Sequence, residues 1–370
     1  MIAHERKVKD LFCPQPFTNI VVNGLSGKMQ PCCVMKNWPK SADEKLWEDL
    51  RKEFFTGEGN LKKRFCQSCI EQEKYYKKSP RTSYLSEYKE NPEMLTMEYN
   101  APSNYCNLKC HMCGPWNSST FAKENLSLSD LDPLSQEFTK KYGDKTLIQL
   151  DDALPKVRPL TILKLVGGET LAIRQNYELM QKFIDSDQSQ DISLEITTNA
   201  TLTPKFDGKD IFDFIPNFKD CKMVISVEAW GEKNNYLRFP SNWEVIMKNA
   251  ERFQKCSEVI FASTVNSLNI GYLMEVSTGA TDMGCDYTFG SLVWGPKELY
   301  TVEAIPLNIR EIYLERFYDE GVDINLVRYL EEMDFDLELS KRMMTDIIAR
   351  DKYRDTCLLD LFPEWKPYYE

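Results

Sequence analysis

The stretch Asn104-Tyr105-Cys106-Asn107-Leu108-Lys109-Cys110-His111-Met112-Cys113-Gly114 sets three cysteines at CxxxCxxC spacing directly behind a β-like run, Leu95 to Tyr99. That order puts three thiols in a loop at the C-terminal end of a strand, the end at which α/β barrels carry their chemistry. A [4Fe-4S] cluster ordinarily takes four cysteine ligands, so three in one loop leave one iron open to a small chelating molecule. A zinc site completed by His111 or a distant cysteine, or a set of inert buried thiols, would use the same residues.

Outward from this loop, six β-like runs follow one another: Leu95 to Tyr99, Thr161 to Val166, Ser193 to Thr197, Met223 to Val227, Val259 to Thr264 and Tyr287 to Val293. Helical patterns are expected between them at Trp116 to Asn125, Thr170 to Ile184, Trp243 to Gln254 and Leu273 to Thr278. Repeated βα units make a parallel sheet. The expected fold class is α/β: a partial (β/α)6 TIM-like barrel with a small Cys-rich module before it and a helical extension behind it. Residues 1–90 read as the module, 91–300 as the barrel and 301–370 as the extension. Within the module one helix is expected, Asp43 to Phe55. The segment Lys77 to Pro92, rich in Tyr, Ser and Lys and ending in the turn-forming pair Asn91-Pro92, reads as a connection. In the extension Met343, Met344, Ile347 and Ile348 recur at helical spacing and read as a packing face.

Of the 370 residues 42% are hydrophobic and 28% charged, the balance of a packed globular chain. A net charge of −11 leaves no basic excess to displace counterions from nucleic acid, so general binding of that kind is not expected. The basic stretches Lys62 to Arg64 and Lys74 to Arg81 read as solvated helix faces. The opening MIAHERKVKD has no apolar core, and nowhere is there a run near the ~20 apolar residues that span a bilayer. A cytoplasmic chain without a membrane partner is expected, in which twelve cysteines are kept reduced and clustered thiols bind metal or react. With two histidines, His4 and His111, the chain is poorly supplied for His-based zinc or nucleophile chemistry.

The spacing of Cys106, Cys110 and Cys113 resembles the signature of the radical S-adenosylmethionine (SAM) superfamily, and the resemblance runs through the six-strand region. Gly167-Gly168-Glu169, behind the second run, resembles the family's GGE motif, which implies a role in binding the ammonium of SAM. Thr197-Thr198-Asn199 resembles its TTNG motif, with Ala200 where glycine is usual. Ser226 resembles the serine of the ISxD motif, with Glu228 in place of Asp, and Arg238, twelve residues on, resembles an arginine that pairs with the SAM carboxylate. By the same analogy Met112, Val265 and Asn266 lie near the cofactor. The resemblance implies that the three cysteines hold a [4Fe-4S] cluster. It also implies that SAM is cleaved reductively to a 5'-deoxyadenosyl radical which abstracts hydrogen from a substrate, with electrons from a donor such as a flavodoxin or ferredoxin.

A second set of thiols precedes the barrel: Cys13, thirteen residues, Gly27, four residues, Cys32, and later Cys66-Gln-Ser-Cys69. It resembles the opening of a SPASM/twitch auxiliary-cluster domain in a permuted, N-terminal position. The third cysteine expected after the CxxC is missing, since Tyr75 stands there, so one auxiliary [4Fe-4S] cluster is implied, with Cys33 as a substitute for Cys32. Four thiolates also suit structural zinc. The isolated Cys221, Cys256, Cys285 and Cys357 read as core or near-surface thiols. The relatives that carry such modules imply a peptide or protein substrate. A small metabolite or nucleotide substrate, and a non-catalytic zinc-stapled binding protein, stand as the other readings.

Overall fold

The computed structural model describes residues 12–23, 28–35, 37–39, 44–76, 79–90, 95–100, 103–128, 160–292, 299–320 and 324–369. Gly27, Asn91, Pro92 and Val293, singled out above, lie outside them. One eight-stranded sheet organises the chain. Its strands are β1 (Asn19–Asn23), β2 (Lys28–Gln30), β3 (Thr96–Asn100), β4 (Ile162–Val166), β5 (Ser193–Thr198), β6 (Asp220–Ser226), β7 (Glu258–Val265) and β8 (Asp286–Leu292). They lie in the order β2-β1-β3-β4-β5-β6-β7-β8, antiparallel between β1 and β2 and parallel elsewhere.

All six expected strands are present, in sequence order, as successive right-handed βα units require. β1 and β2 were not expected. They come from the Cys-rich segment, and β1 pairs along its whole length with β3, Val21 facing Glu98 in register. Through β1 and β2 the N-terminal segment extends the barrel's own sheet, while Cys13, Cys32, Trp38, Leu50, Phe54 and Phe65 form a small core beside it.

Alternation along the strands separates two faces. Met97, Tyr99, Leu163, Leu165, Leu194, Ile196, Met223, Ile225, Val259 and Phe261 turn toward the helices and form the main core with Tyr177, Phe183, Ile246 and Phe253. The opposite, concave face is mixed and carries charged residues. One register row crosses five strands as Glu98, Lys164, Glu195, Lys222 and Glu258. Lys164 pairs with Glu195 at 3.3 Å and Lys222 with Glu258 at 3.5 Å. Closed barrels fill this space with layers of branched apolar side chains; here a row of ion pairs lies among Ile162, Val166, Val224 and Ile260 on the same face.

Local chemistry adjusts the expected helices. The helix after the cysteine loop is Ser119–Ser127, because the Ser118 side chain accepts from the Phe121 N–H and fixes the start, leaving Trp116 and Asn117 in a turn. The run at Thr170 to Ile184 is broken into a 3-10 turn, Thr170–Ala172, capped by the Glu169 carboxylate, and a helix, Arg174–Asp185. The segment read as a connection is mostly a helix, Pro80–Glu90. Lys62 is buried, its ammonium 5.5 Å from the Phe54 ring centroid, and Arg81 pairs with Glu73, so neither lies on a solvated face. The C-terminal helices Leu307–Glu320, Ile324–Glu332 and Leu337–Arg354 build a second core with Leu268, Ile270, Phe362 and Trp365. Met343, Met344 and Ile347 join it, whereas Ile348 is 38% exposed. No helix among the described residues is long and apolar enough to cross a membrane.

Candidate radical SAM site

The loop behind β3 is fixed at its base before its sulfurs are placed. Asn104 donates through Nδ2 to the Pro115 carbonyl (2.8 Å), and its own carbonyl accepts from Ser119 N (2.8 Å). The hydroxyls of Ser118 and Thr120 donate to the Leu108 carbonyl at 2.6 and 2.8 Å, and Thr120 also reaches the Cys106 carbonyl at 2.9 Å. On the far side Lys109 N donates to Phe239 O and His111 N to Leu237 O, at 2.9 Å for the latter. With its polar backbone held by neighbours on both sides, the loop presents Cys106 and Cys110, both buried, and Cys113, half-buried, beside one another.

Electrostatics report the same grouping. Burial pushes the Cys106 thiol up to about 12, with Cys110 and Glu169 adding to the rise. Cys113 is driven well above the usual thiol range by burial first and then by Cys110 and Cys106. Arg238 opposes the rise in all three. Its own burial works against its charge, yet Cys110, Glu228, Cys106 and Cys113 outweigh that and leave it above its ordinary value. Three buried thiols that resist ionisation need a strongly bound cationic centre to become thiolates.

Arg238 has a second property. Nη1 donates to Glu228 at 2.8 Å, whereas its buried Nε finds no acceptor among the described residues. Glu228 is itself enclosed, accepting from Thr264 N and Asn269 Nδ2, each at 3.0 Å. A buried guanidinium donor left open next to three thiols suits an anionic oxygen of a ligand that reaches the same place. Among the described residues no three His, Cys, Asp or Glu side chains close on a single ion. Each thiolate of an iron–sulfur cluster binds its own iron, so such a ligand set is wider than a one-ion site. The donor set fits a [4Fe-4S] cluster with a small carboxylate-bearing partner.

Gly167 and Gly168 both have positive φ, +92° and +58°. A Cβ on Gly168 would stand 2.4 Å from the Tyr105 carbonyl oxygen, so only glycine lets this turn lie against the cysteine loop, where Glu169 N donates to that oxygen at 2.7 Å. The Glu169 carboxylate accepts from Leu171 N (3.1 Å), the Thr198 hydroxyl (2.5 Å) and Asn199 N (2.8 Å), tying the end of β4 to the end of β5. Ala200 takes φ +54°, the left-handed turn that a glycine would adopt freely. Asn199 reaches toward the loop through Nδ2, 3.0 Å from Asn107 Oδ1 and 3.9 Å from Cys106 Sγ.

Ser226 lies half-buried at the end of β6 on the concave face, in register with Ala262. Met112 packs between the cysteine loop and the C-terminal core. Val265 is not brought to the thiols by its side chain, which is packed in that second core, and the Asn266 amide is held in a turn by Leu268 N and Asn269 N. His111 is excluded as a zinc ligand by geometry, since Nδ1 lies 3.1 Å from Tyr300 OH and Nε2 3.0 Å from Arg354 Nη1. Sequence reading did not identify that enclosure of His111. Arginines at 350 and 354, in phase with the apolar positions of their helix, were its visible sign.

The N-terminal thiols also gather. Cys66 closes the helix Leu61–Phe65 and Cys69 sits in the first turn of the helix Gln67–Tyr76. Burial pushes Cys13 and Cys66 each up to about 12; Cys69 acts on Cys13, both Cys13 and Cys69 act on Cys66, and Cys13 acts on Cys32. Cys33 hydrogen-bonds with Cys32 at the edge of this group and also lies 3.5 Å from the Tyr84 hydroxyl and close to Glu98 of β3. Trp38, edge-on to Trp47 and Phe65, walls the group.

Comparison with known proteins places this geometry. Residues 100–273 match the family model of the radical SAM superfamily. The chain carries a radical SAM domain. The radical SAM family implies a [4Fe-4S] cluster and SAM. No curated protein matches the chain. Among solved structures it is similar to native anSMEcpe with bound AdoMet, at 18% identity over 60% of this chain and 60% of that one, with a TM-score of 0.42. It is also similar to Streptococcus suis SuiB bound to the precursor peptide SuiA, at 15% identity over 66% and 52% of the two chains and a TM-score of 0.37. TYW1 with a lysine-pyruvate adduct bound is similar at 12% identity over 76% and 90%, with a TM-score of 0.36. The chain thus spans about three fifths of the anSMEcpe structure and about half of SuiB. Likenesses of this degree carry no argument about activity.

Proposed function

We propose that Cys106, Cys110 and Cys113 hold the [4Fe-4S] cluster of a radical SAM reaction and that Arg238, seated on Glu228, receives the SAM carboxylate. The observation that carries this reading is the buried, open Nε of Arg238 among the three thiols. When held by Cys106, Cys110 and Cys113, the cluster would supply one electron to SAM, splitting its C–S bond into methionine and a 5'-deoxyadenosyl radical that would take hydrogen from the substrate. The chain's part is placement. The Gly167-Gly168 turn and Glu169 would take the ammonium of SAM, with Thr198 and Asn199 N fixing the Glu169 carboxylate. Ser226 offers a hydroxyl on the concave face.

The substrate in this proposal is a peptide or protein segment. The ion-lined concave face supports it, since Lys164, Glu195, Lys222 and Glu258 can match the amides and charges of an extended polar chain better than an apolar metabolite. We assign residues 1–90 a second cluster, on Cys13, Cys32, Cys66 and Cys69, residues 91–300 the reaction core, and 301–370 a helical cover. Anaerobic reconstitution tests the scheme. About eight iron atoms per chain and SAM cleavage to 5'-deoxyadenosine under dithionite are expected. Cleavage that survives conversion of Cys106, Cys110 and Cys113 to Ala refutes the site; zinc at the N-terminal thiols refutes the second cluster.

A further inference from the structure

The residues on either side of Cys110 are held by a side chain from outside the matched domain. Arg354, at the end of the helix Leu337–Arg354, has a side chain 1% exposed. Its Nη2 donates to the Lys109 carbonyl at 2.7 Å and its Nη1 to His111 Nε2 at 3.0 Å. Lys109 and His111 immediately flank Cys110, so one guanidinium grips both neighbours of a single thiol.

The grip is directional. Arg354 can only donate, so His111 Nε2 accepts and Nδ1 carries the hydrogen. That hydrogen points to Tyr300 OH at 3.1 Å, and Tyr300 in turn donates to Asp346 Oδ2 at 2.7 Å, on the same helix as Arg354. Stacking of the His111 ring on Tyr236, 4.8 Å between centroids, fixes its plane. The fork is closed from behind: Arg354 also pairs with Glu124 at 2.6 Å, and Arg350, one turn earlier, joins Glu124 at 2.6 Å and Asp346 at 2.8 Å. Glu124 belongs to the helix that starts where the cysteine loop ends. Behind the loop, Lys109, Arg350 and Arg354 thus meet the two carboxylates Glu124 and Asp346, while at the thiols Arg238 pairs with Glu228.

We propose that Arg354 is a positioning residue for the radical SAM cluster: it braces the peptide on both sides of Cys110 from the C-terminal extension, and its charge favours the reduced cluster. The inference rests on the assignment of Cys110 as a cluster ligand. Reduction adds negative charge at the site, and a fixed cation held on the Lys109 carbonyl beside Cys110 lowers the cost of that electron. Outer partners of metal ligands commonly carry tenfold effects or more.

The test uses full-length chain reconstituted anaerobically, reading the cluster whose EPR signal changes on adding SAM. Wild-type protein is read first; if it shows no such signal, the functional reading falls and this inference with it. In Arg354→Gln the reduction equilibrium of that cluster is expected to fall by about tenfold, 59 mV for one electron, with the N-terminal cluster unmoved. Arg354→Lys, which keeps the charge, is expected to recover most of the potential. A wild-type potential in Arg354→Gln overturns the proposal. Should Arg354→Gln not fold, His111→Gln carries the test, because it leaves Arg354 paired with Glu124. An altered line shape or lower iron content at the SAM-responsive cluster supports the brace, and wild-type values for both overturn it.

Discussion

Replacing Gly168 with alanine separates two costs that positive-φ glycines usually mix, because Gly208 supplies a matched control. Both have left-handed backbone, φ +58° at Gly168 and +83° at Gly208. An added Cβ meets nothing within 4 Å at Gly208, but stands 2.4 Å from Tyr105 O and 3.3 Å from Ser103 O at Gly168. Left-handed alanine costs roughly 1–2 kcal/mol, and the stiffer unfolded chain returns about 0.4–1 kcal/mol of it. Gly208→Ala should therefore lose about 1 kcal/mol. Gly168→Ala carries the same cost plus the displacement of a backbone oxygen that also accepts from Glu169 N, an overpacking cost of about 1–3 kcal/mol. At about 2–4 °C per kcal/mol for a domain of this kind, the expected drop in Tm is a few degrees for Gly208→Ala and roughly twice to four times that for Gly168→Ala. Circular-dichroism melting of the apo chain reads the stability, and iron content after reconstitution reads the loop, because Tyr105 precedes Cys106. Equal Tm losses in the two variants, or full iron loading of Gly168→Ala, would refute the claim that this turn holds the cysteine loop by close contact.

Three further outcomes are expected. Thr198→Val removes the hydroxyl that donates to Glu169 and accepts from Ala200 N, and should cost about 1–3 kcal/mol in urea unfolding, with Thr198→Ser close to wild type. Cys32→Ala should lose the iron of the N-terminal site while Cys33→Ala keeps it, counted per chain, because Cys32 is buried against Cys13 whereas Cys33 is exposed and shared with Tyr84. Burial, then Arg354 and Arg350, holds the His111 pKa well below 6.5, so the unfolded chain binds its proton more readily than the folded one. The contribution of His111 is therefore whole above 6.5 and declines as pH falls below it, and His111→Gln should flatten that part of the stability profile in urea melts taken from about pH 8 to pH 5.

The sheet was legible wherever strand alternation was complete. β5, β6 and β7 alternate buried residues with more exposed ones, and the helices Trp243–Phe253 and Leu273–Asp282 follow β6 and β7. β1 and β2 escaped because a five-residue and a three-residue run among cysteines and turn residues carry too little period to separate strand from loop. The polar row from Glu98 to Glu258 was written in those same strands, each placing an ionisable residue between apolar ones. Its meaning needed the parallel register, which aligns those positions on one face. At the cysteine loop the thiols were legible because ligand spacing is a local constraint.

The brace on that loop joins His111 to a residue 243 positions away, and a pairing so distant leaves no local periodicity at either end. What it leaves is a conflict within one helix. Along Leu337–Arg354 the inward stripe runs Ser340, Met343, Ile347, Arg350, Arg354, close to half a heptad apart, which also explains why Ile348, one step off the stripe, faces outward. Two arginines in an apolar stripe are costly to bury unless carboxylates meet them. Their presence at those positions therefore signals an ionic partner, and only the fold shows that the partner is the helix and loop carrying Cys110.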